Sequence, residues 1–194
     1  MIVPSPYPAT LDDLAKVSDK AELVAGRIIH LMPTGRLPSR VAKRIFVSLN
    51  EYERRTGVGE AFPDNIGYAI RPPLADGRES FAPDASYYIG PSPEDSMGFI
   101  DGPPTFAVEV RSENDYGPAA DRAYAEKRAD YFAAGTRAVW DVDPVGETVA
   151  CYRAADPLAP TVFRRGDTAD AEPAVPGWRL SVDDLFGPRP AAAN

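Results

Sequence analysis

The 194 residues are enough for one domain with a proper core and too few for two. Hydrophobic residues at 44% and charged residues at 26% are those of a globular chain, which excludes the disordered and membrane-embedded classes. Twenty-nine Asp and Glu against 21 Lys and Arg give a net charge of −8, and this excludes tight nonspecific nucleic-acid binding, because phosphate contacts need a basic surface.

Any basic face must therefore be local. The candidates are Arg36, Arg40, Lys43 and Arg44, then Arg54 and Arg55, then Arg122, Lys127 and Arg128; each taken singly also reads as the solvated face of an amphipathic helix. No apolar run approaches the roughly 20 residues of a spanning helix, and the first ten residues have neither the basic flank nor the apolar stretch of a targeting segment. A cytoplasmic protein without membrane association is expected. Cys151 is the only cysteine, so no intramolecular disulfide or thiolate metal cluster can form, and its VACY setting predicts a buried strand position. His30, the only histidine, excludes a His-rich zinc site and falls on the polar face of the strand RIIHL. It has no GxSxG partner motif for acyl transfer.

In chain order, prolines 4, 6 and 8 make an extended lead-in, and Thr10 reads as the N-cap of a short helix LDDLAKV. AELVAGRIIHLM reads as two strands turning at Ala25 and Gly26, with Glu22 at the start of the first. From Pro38, Val41, Ile45, Leu49 and Tyr52 recur at helical spacing until Gly57. GEAFP and NIGYAIRPP are strand-like pieces, and FAPDASYYIG is the next strand, where Pro83 implies an edge, a bulge or a strand start. PSPEDSMGFIDGPP is a surface connection. PTFAVEVRS is apolar except for Glu109 and Arg111, as in a strand covered on both faces.

Residues 119–134 form a helix stopped by Gly135, placing Lys127 and Tyr131 one turn apart on one face, with Tyr124 adjacent. TRAVWDVDP and ETVACYRA form an antiparallel hairpin around Val145 and Gly146. A strand at TVFRR and a helical end around SVDDLF follow. This order describes an α/β (α+β) domain with a mixed central sheet flanked by helices, its core from about residue 10 to 186 and residues 187–194 frayed.

Asp84 and Glu109 are carboxylates in apolar strand settings, where burial is costly unless a cation meets them. Paired strands would bring both to one point, a hard oxygen pair suited to Mg²⁺ or Mn²⁺, with the Val110 carbonyl as a further ligand. Strand alternation puts Glu109 and Arg111 on the same face. Lys127 is placed to orient or deprotonate an attacking water and to offset transition-state charge. Each residue also has a structural reading: Asp84 as a turn aspartate after proline, Glu109 as a partner of Arg111 or Arg137, Lys127 as a solvated helix lysine.

PD at 83–84 and E-x-R at 109–111 resemble the PD-(D/E)xK nuclease pattern. AELVAGRIIHLMP, FAPDASYY, PPTFAVEVRSEND, EKRADYFAAGTRAVWDVDP and TVACY, from about residue 20 to 153, resemble the Uma2 family of restriction-endonuclease-like proteins, also called DUF820. The resemblance implies a restriction-endonuclease-like fold with Asp84, Glu109 and a lysine as the catalytic triad and Glu22 as an additional acidic residue. Arg111 stands where the broader superfamily has its lysine. An arginine cannot take a proton, so Arg111 is a candidate for phosphate binding or carboxylate pairing, and Lys127 on the following helix is the basic replacement. Many relatives carry a histidine at the start of the long helix, where this chain has Leu37, Pro38, Ser39 and Arg40. The expectation is a Mg²⁺- or Mn²⁺-dependent endonuclease acting on DNA as a homodimer. The alternative is a noncatalytic binding or assembly module that keeps the fold.

Overall fold

A computed structural model describes residues 7–91 and 97–188. The lead-in through residue 6, residues 92–96 of the surface connection and the tail from residue 189 lie outside the described residues.

The chain opens with α1 (Leu11–Leu14), where Thr10 and Asp13 form a reciprocal capping box. The hairpin of β1 (Ala21–Val24) and β2 (Arg27–His30) turns through Ala25 and Gly26, both at positive φ. Gly26 is required there twice over, by its φ of 69° and because a Cβ would lie 2.5 Å from Pro8 Cβ. Next comes α2 (Arg36–Thr56), which starts two residues before the Pro38 that the helical spacing suggests. Its inner face is Val41, Ile45, Leu49 and Tyr52, and Gly57 ends it in the left-handed conformation, donating its N–H to the Glu53 carbonyl. Val41, Ile45 and Leu49 are fully buried, each worth about 1.5–3 kcal/mol.

The strands that follow are β3 (Glu60–Pro63), β4 (Tyr68–Ala69), β5 (Ser80–Phe81), β6 (Ala85–Tyr88), β7 (Ile100–Asp101) and β8 (Phe106–Val110). FAPDASYYIG is thus two strands rather than one. Pro83 lacks an N–H for a ladder bond, so the chain leaves β5 for a small sheet with β4 and starts β6 in the main one. Then α3 (Pro118–Ala134) carries the chain across to β9 (Ala138–Asp143), which lies parallel to β8. The remainder is β10 (Thr148–Arg153), β11 (Asp156–Phe163), β12 (Thr168–Asp170), β13 (Arg179–Ser181) and α4 (Val182–Phe186), the last capped by Ser181.

Among the described residues the main sheet has six strands in the order β11-β10-β9-β8-β6-β3, and the β8–β9 pair is its only parallel one. This is the mixed, helix-flanked sheet expected from the element order. Alternation along β8 divides the interior. Phe106, Val108 and Val110 face α2 and α4, where Trp140 and Trp178 pack with ring centroids 5.0 Å apart. Ala107 and Glu109 face α3 and the small sheet, beside Tyr68, Phe81 and Tyr131. All five residues of β8 are buried, as the run FAVEV predicts for a doubly covered strand. Cys151 is buried in β10 and His30 is exposed on β2, also as read from the sequence. No helix among the described residues is long and apolar enough to cross a membrane.

Candidate active site

The β5–β6 break aims Asp84 at the end of β8. Its N–H donates to the Val108 carbonyl at 3.0 Å, and its Oδ2 accepts from the Val110 N–H at 2.8 Å. Oδ1 accepts from Lys20 Nζ at 2.7 Å, and Lys20 also pairs with Asp64 at 2.6 Å. Asp84 is therefore joined to the backbone one residue beyond Glu109.

Glu109 is the polar residue on the inner face of β8, and α3 supplies its partners from successive turns. Lys127 Nζ lies 2.9 Å from Glu109 Oε1, and the Tyr131 hydroxyl donates to the same oxygen at 2.7 Å. Oε2 has no partner among the described residues, and the side chain keeps 11% of its surface exposed. Tyr131 stacks on Phe81, with centroids 4.1 Å apart, which fixes the ring behind the carboxylate. Lys127 is shared: Glu22 Oε1 also lies 2.9 Å from Nζ. Glu22 in turn accepts from the Ala82 N–H at 3.0 Å and from Arg78 at 2.8 Å, and Arg78 reaches Asp130 at 2.6 Å.

Protonation follows from this wiring. Burial pushes the Glu109 carboxyl up; Lys127 opposes that while Asp84 and Glu22 add to it, and the pKa settles at about 7. Burial works against the Lys127 ammonium, but Glu109 and Glu22 outweigh it and hold its pKa above the ordinary lysine range. Lys127 is thus held as a cation, which favours the orienting and charge-offsetting half of its expected role over proton abstraction. Burial also opposes the Glu22 anion, yet Lys127 and Arg78 keep its pKa below the ordinary range.

Of the residues singled out in the sequence, Glu109, Lys127 and Glu22 meet directly, and Asp84 joins them through Val110 and through its charge on Glu109. Glu109 pairs with neither Arg111 nor Arg137, and Lys127 is not a solvated helix lysine, with 19% of its side chain exposed. Arg111 is the carboxylate partner of its two alternatives. It forms a two-pronged pair with Asp141 at 2.8 and 2.9 Å and reaches Asp121 at 2.7 Å. Sequence reasoning missed Lys20, Asp64, Arg78 and Asp141, and placed Tyr131 beside Lys127 without giving it a polar partner. One signal was present for Lys20, which lies two residues before Glu22 and so on the same face of an extended chain.

Three openings adjoin the loop of residues 31–35, and Asp84 lines two of them. A cavity of about 220 Å³ is lined by Asp64, Asp84 and Val110 with Ser39 and Lys43 of α2. A second, of about 490 Å³, lies between Lys20, His30, Asp64 and Asp84. The largest, a cleft of about 670 Å³, runs from Arg36 and Leu37 to Arg111 and Asn114.

The donors suit a hard divalent cation that keeps much of its water. Among the described residues no three His, Cys, Asp or Glu side chains gather to enclose an ion. Mg²⁺ is commonly held by one or two carboxylates with waters completing its shell, and Asp84 and Glu109 provide that number. A carboxyl whose ionisation is resisted by burial and then by the anions Asp84 and Glu22 is also one that an added cation relieves.

The chain is similar to known proteins in fold and in family. A DUF820 protein of Anabaena variabilis ATCC 29413, described as a "putative nuclease", superposes with a TM-score of 0.69 at 24% identity, over 92% of this chain and 98% of that one. At that identity the match shows a shared fold. No curated protein matches. The profile of the Uma2 family, described as "Putative restriction endonuclease", matches residues 8–183 and spans every element that carries Glu22, Asp84, Glu109 and Lys127, so the chain belongs to the Uma2 family.

Proposed function

We propose that the chain is a metal-dependent endonuclease that hydrolyses phosphodiester bonds in DNA. The observation that carries this reading is Glu109 Oε2, a carboxylate oxygen without a partner among the described residues, on a group whose ionisation burial and neighbouring anions resist. Asp84, Glu109 and the Val110 carbonyl would hold Mg²⁺ or Mn²⁺, which when bound supplies Lewis acidity at the phosphoryl group and acidifies a coordinated water.

The chain's own groups do the rest. Lys127 spends two of its three N–H donors on Glu22 and Glu109, and the third remains for the attacking water or a phosphoryl oxygen. Its fixed charge offsets the negative charge that grows on the phosphoryl oxygens, without reorganisation during the reaction. Tyr131 keeps its proton and holds Glu109 Oε1, which leaves Oε2 for the ligand. Glu22 acts by holding Lys127, since its own oxygens are taken by Lys127, Ala82 and Arg78. Cutting both strands calls for two such sites, and a two-fold homodimer would supply them.

A noncatalytic module that keeps the fold is the second reading, and one observation favours it: Asp84 and Glu109 each already meet a lysine of the protein. Plasmid nicking at low salt with Mn²⁺ or Mg²⁺ separates the two. The endonuclease reading expects nicking by the wild type and a loss of at least about 100-fold in Asp84→Asn and Glu109→Gln. A wild type inert with both ions would leave the module reading standing.

A further inference from the structure

The chain carries a net charge of −8, yet residues 23–50 contain no Asp or Glu and five Lys or Arg. This acid-free run holds the end of β1, β2, the loop of residues 31–35 and the first part of α2, and it contributes to the walls of both openings lined by Asp84 and of the cleft that reaches Arg111. The cations deeper in the site are committed to carboxylates: Lys20 to Asp64 and Asp84, Lys127 to Glu22 and Glu109, Arg78 to Glu22 and Asp130, Arg111 to Asp141 and Asp121. Arg36, Arg40 and Lys43 are exposed and have no anionic partner among the described residues. Arg44 differs, being drawn inward to donate to the Leu185 carbonyl.

We propose that Arg36, Arg40 and Lys43 form a phosphate-binding wall that seats the backbone of a DNA duplex beside the Asp84 cavity. Spacings of four and three residues put the three side chains on one face of α2, opposite the buried Val41, Ile45 and Leu49. Seven residues of helix span about 10 Å, and one strand of a duplex offers a phosphate about every 3.4 Å along its axis, so the wall matches about three phosphates. It is continuous with the reacting groups. Lys43 lines the cavity that holds Asp84 and Val110, Arg36 lines the cleft that reaches Arg111, and Thr34 and Pro38 line both. Exposed Met32 and Leu37 on the same wall add apolar contact for sugars or base edges.

The proposal rests on the nuclease reading only for where the scissile bond lies, so its test is binding rather than cleavage. A fluorescein-labelled 20-base-pair DNA duplex is titrated with full-length protein in EDTA, by anisotropy, across a range of NaCl. Wild type is compared with Arg36→Ala/Arg40→Ala/Lys43→Ala and with Arg54→Ala/Arg137→Ala/Arg164→Ala, three exposed arginines outside the wall whose removal changes net charge equally. All six are surface positions, and circular dichroism verifies the fold of each variant. The wall variant should lose roughly 2.7 from the slope of log affinity against log salt, which is about 40-fold of the affinity change between 50 and 200 mM, while the control keeps the wild-type slope. Equal slopes for the two triple variants, or no duplex binding by the wild type at the lowest salt, overturn the wall. Failure of the nuclease reading looks different: no nicking with any ion, with the slope difference intact.

Discussion

Lys127 Nζ meets Glu109 Oε1 at 2.9 Å inside a cluster where burial alone would leave the carboxyl protonated. Removing the ammonium takes away the main influence lowering the Glu109 pKa. The folded-state value, already about 7 against an ordinary 4.5, then rises further. A carboxyl whose folded pKa exceeds its unfolded one favours folding most at low pH, and that contribution is lost as the pH rises through the folded pKa. Lys127→Ala should therefore cost about 3 kcal/mol at pH 8 and distinctly less at pH 5.5. Urea unfolding at the two pH values checks this, and an equal loss at both contradicts the assignment.

The same carboxyl links ion binding to protons. With its pKa near 7, Glu109 holds a proton in about half of the molecules at pH 7, and a ligand oxygen must give that proton up. Binding of Mn²⁺ should release about half a proton at pH 7 and almost none at pH 9, with affinity falling as the pH drops below 7. Calorimetry in two buffers of different ionisation enthalpy measures the release. Glu109→Gln should abolish it, and Asp84→Asn should weaken binding; a wild-type affinity in Asp84→Asn removes that residue from the ligand set.

Arg111 tests a structural role against a phosphate role. Its bidentate pair with Asp141 is shielded, the side chains being 15% and 7% exposed, and Asp141 is also approached by Arg128 at 3.3 Å. A double-mutant cycle with Arg111→Met and Asp141→Asn should give a coupling energy of about 1.5–3 kcal/mol by chemical denaturation. In duplex titrations Arg111→Met should leave the salt slope at its wild-type value. A slope smaller by about 0.9 with negligible coupling would return Arg111 to phosphate binding.

The parts of the site readable from sequence are those whose signal is local. Glu109 stands out because its flanks are apolar, Asp84 because it follows a proline at a strand start, and the Lys127–Tyr131 pairing because helix periodicity alone puts both on one face. The cations that complete the cluster are set by contacts between distant segments. Lys20 reaches Asp84 across 64 residues and Arg78 reaches Glu22 across 56, and both depend on how the β1–β2 hairpin docks, with the Leu23 N–H donating to Ser80 Oγ and Val24 bridging Arg78. No periodicity encodes that docking. The protonation of Lys127 is hidden for a related reason: burial read from sequence favours the neutral amine, and only the packed structure shows two carboxylates overruling it.

Arg78 is the deepest of those cations, and the most severe test of the cluster as a balanced set of charges. Its residue exposure is 9%, and its guanidinium spans Glu22 at 2.8 Å and Asp130 at 2.6 Å while lying over the Phe81 ring at 5.1 Å. Glu22 is still more enclosed, with 5% of its side chain exposed, so Arg78→Met leaves it with Lys127 as its single cation. An under-compensated buried carboxylate is costly, and the variant should lose about 3–5 kcal/mol. Adding Glu22→Gln removes that charge and should recover part of the loss, so that the double variant melts above Arg78→Met alone. The order of the two melting temperatures decides the point, because plain loss of packing around Phe81 would make the double variant no more stable than the single.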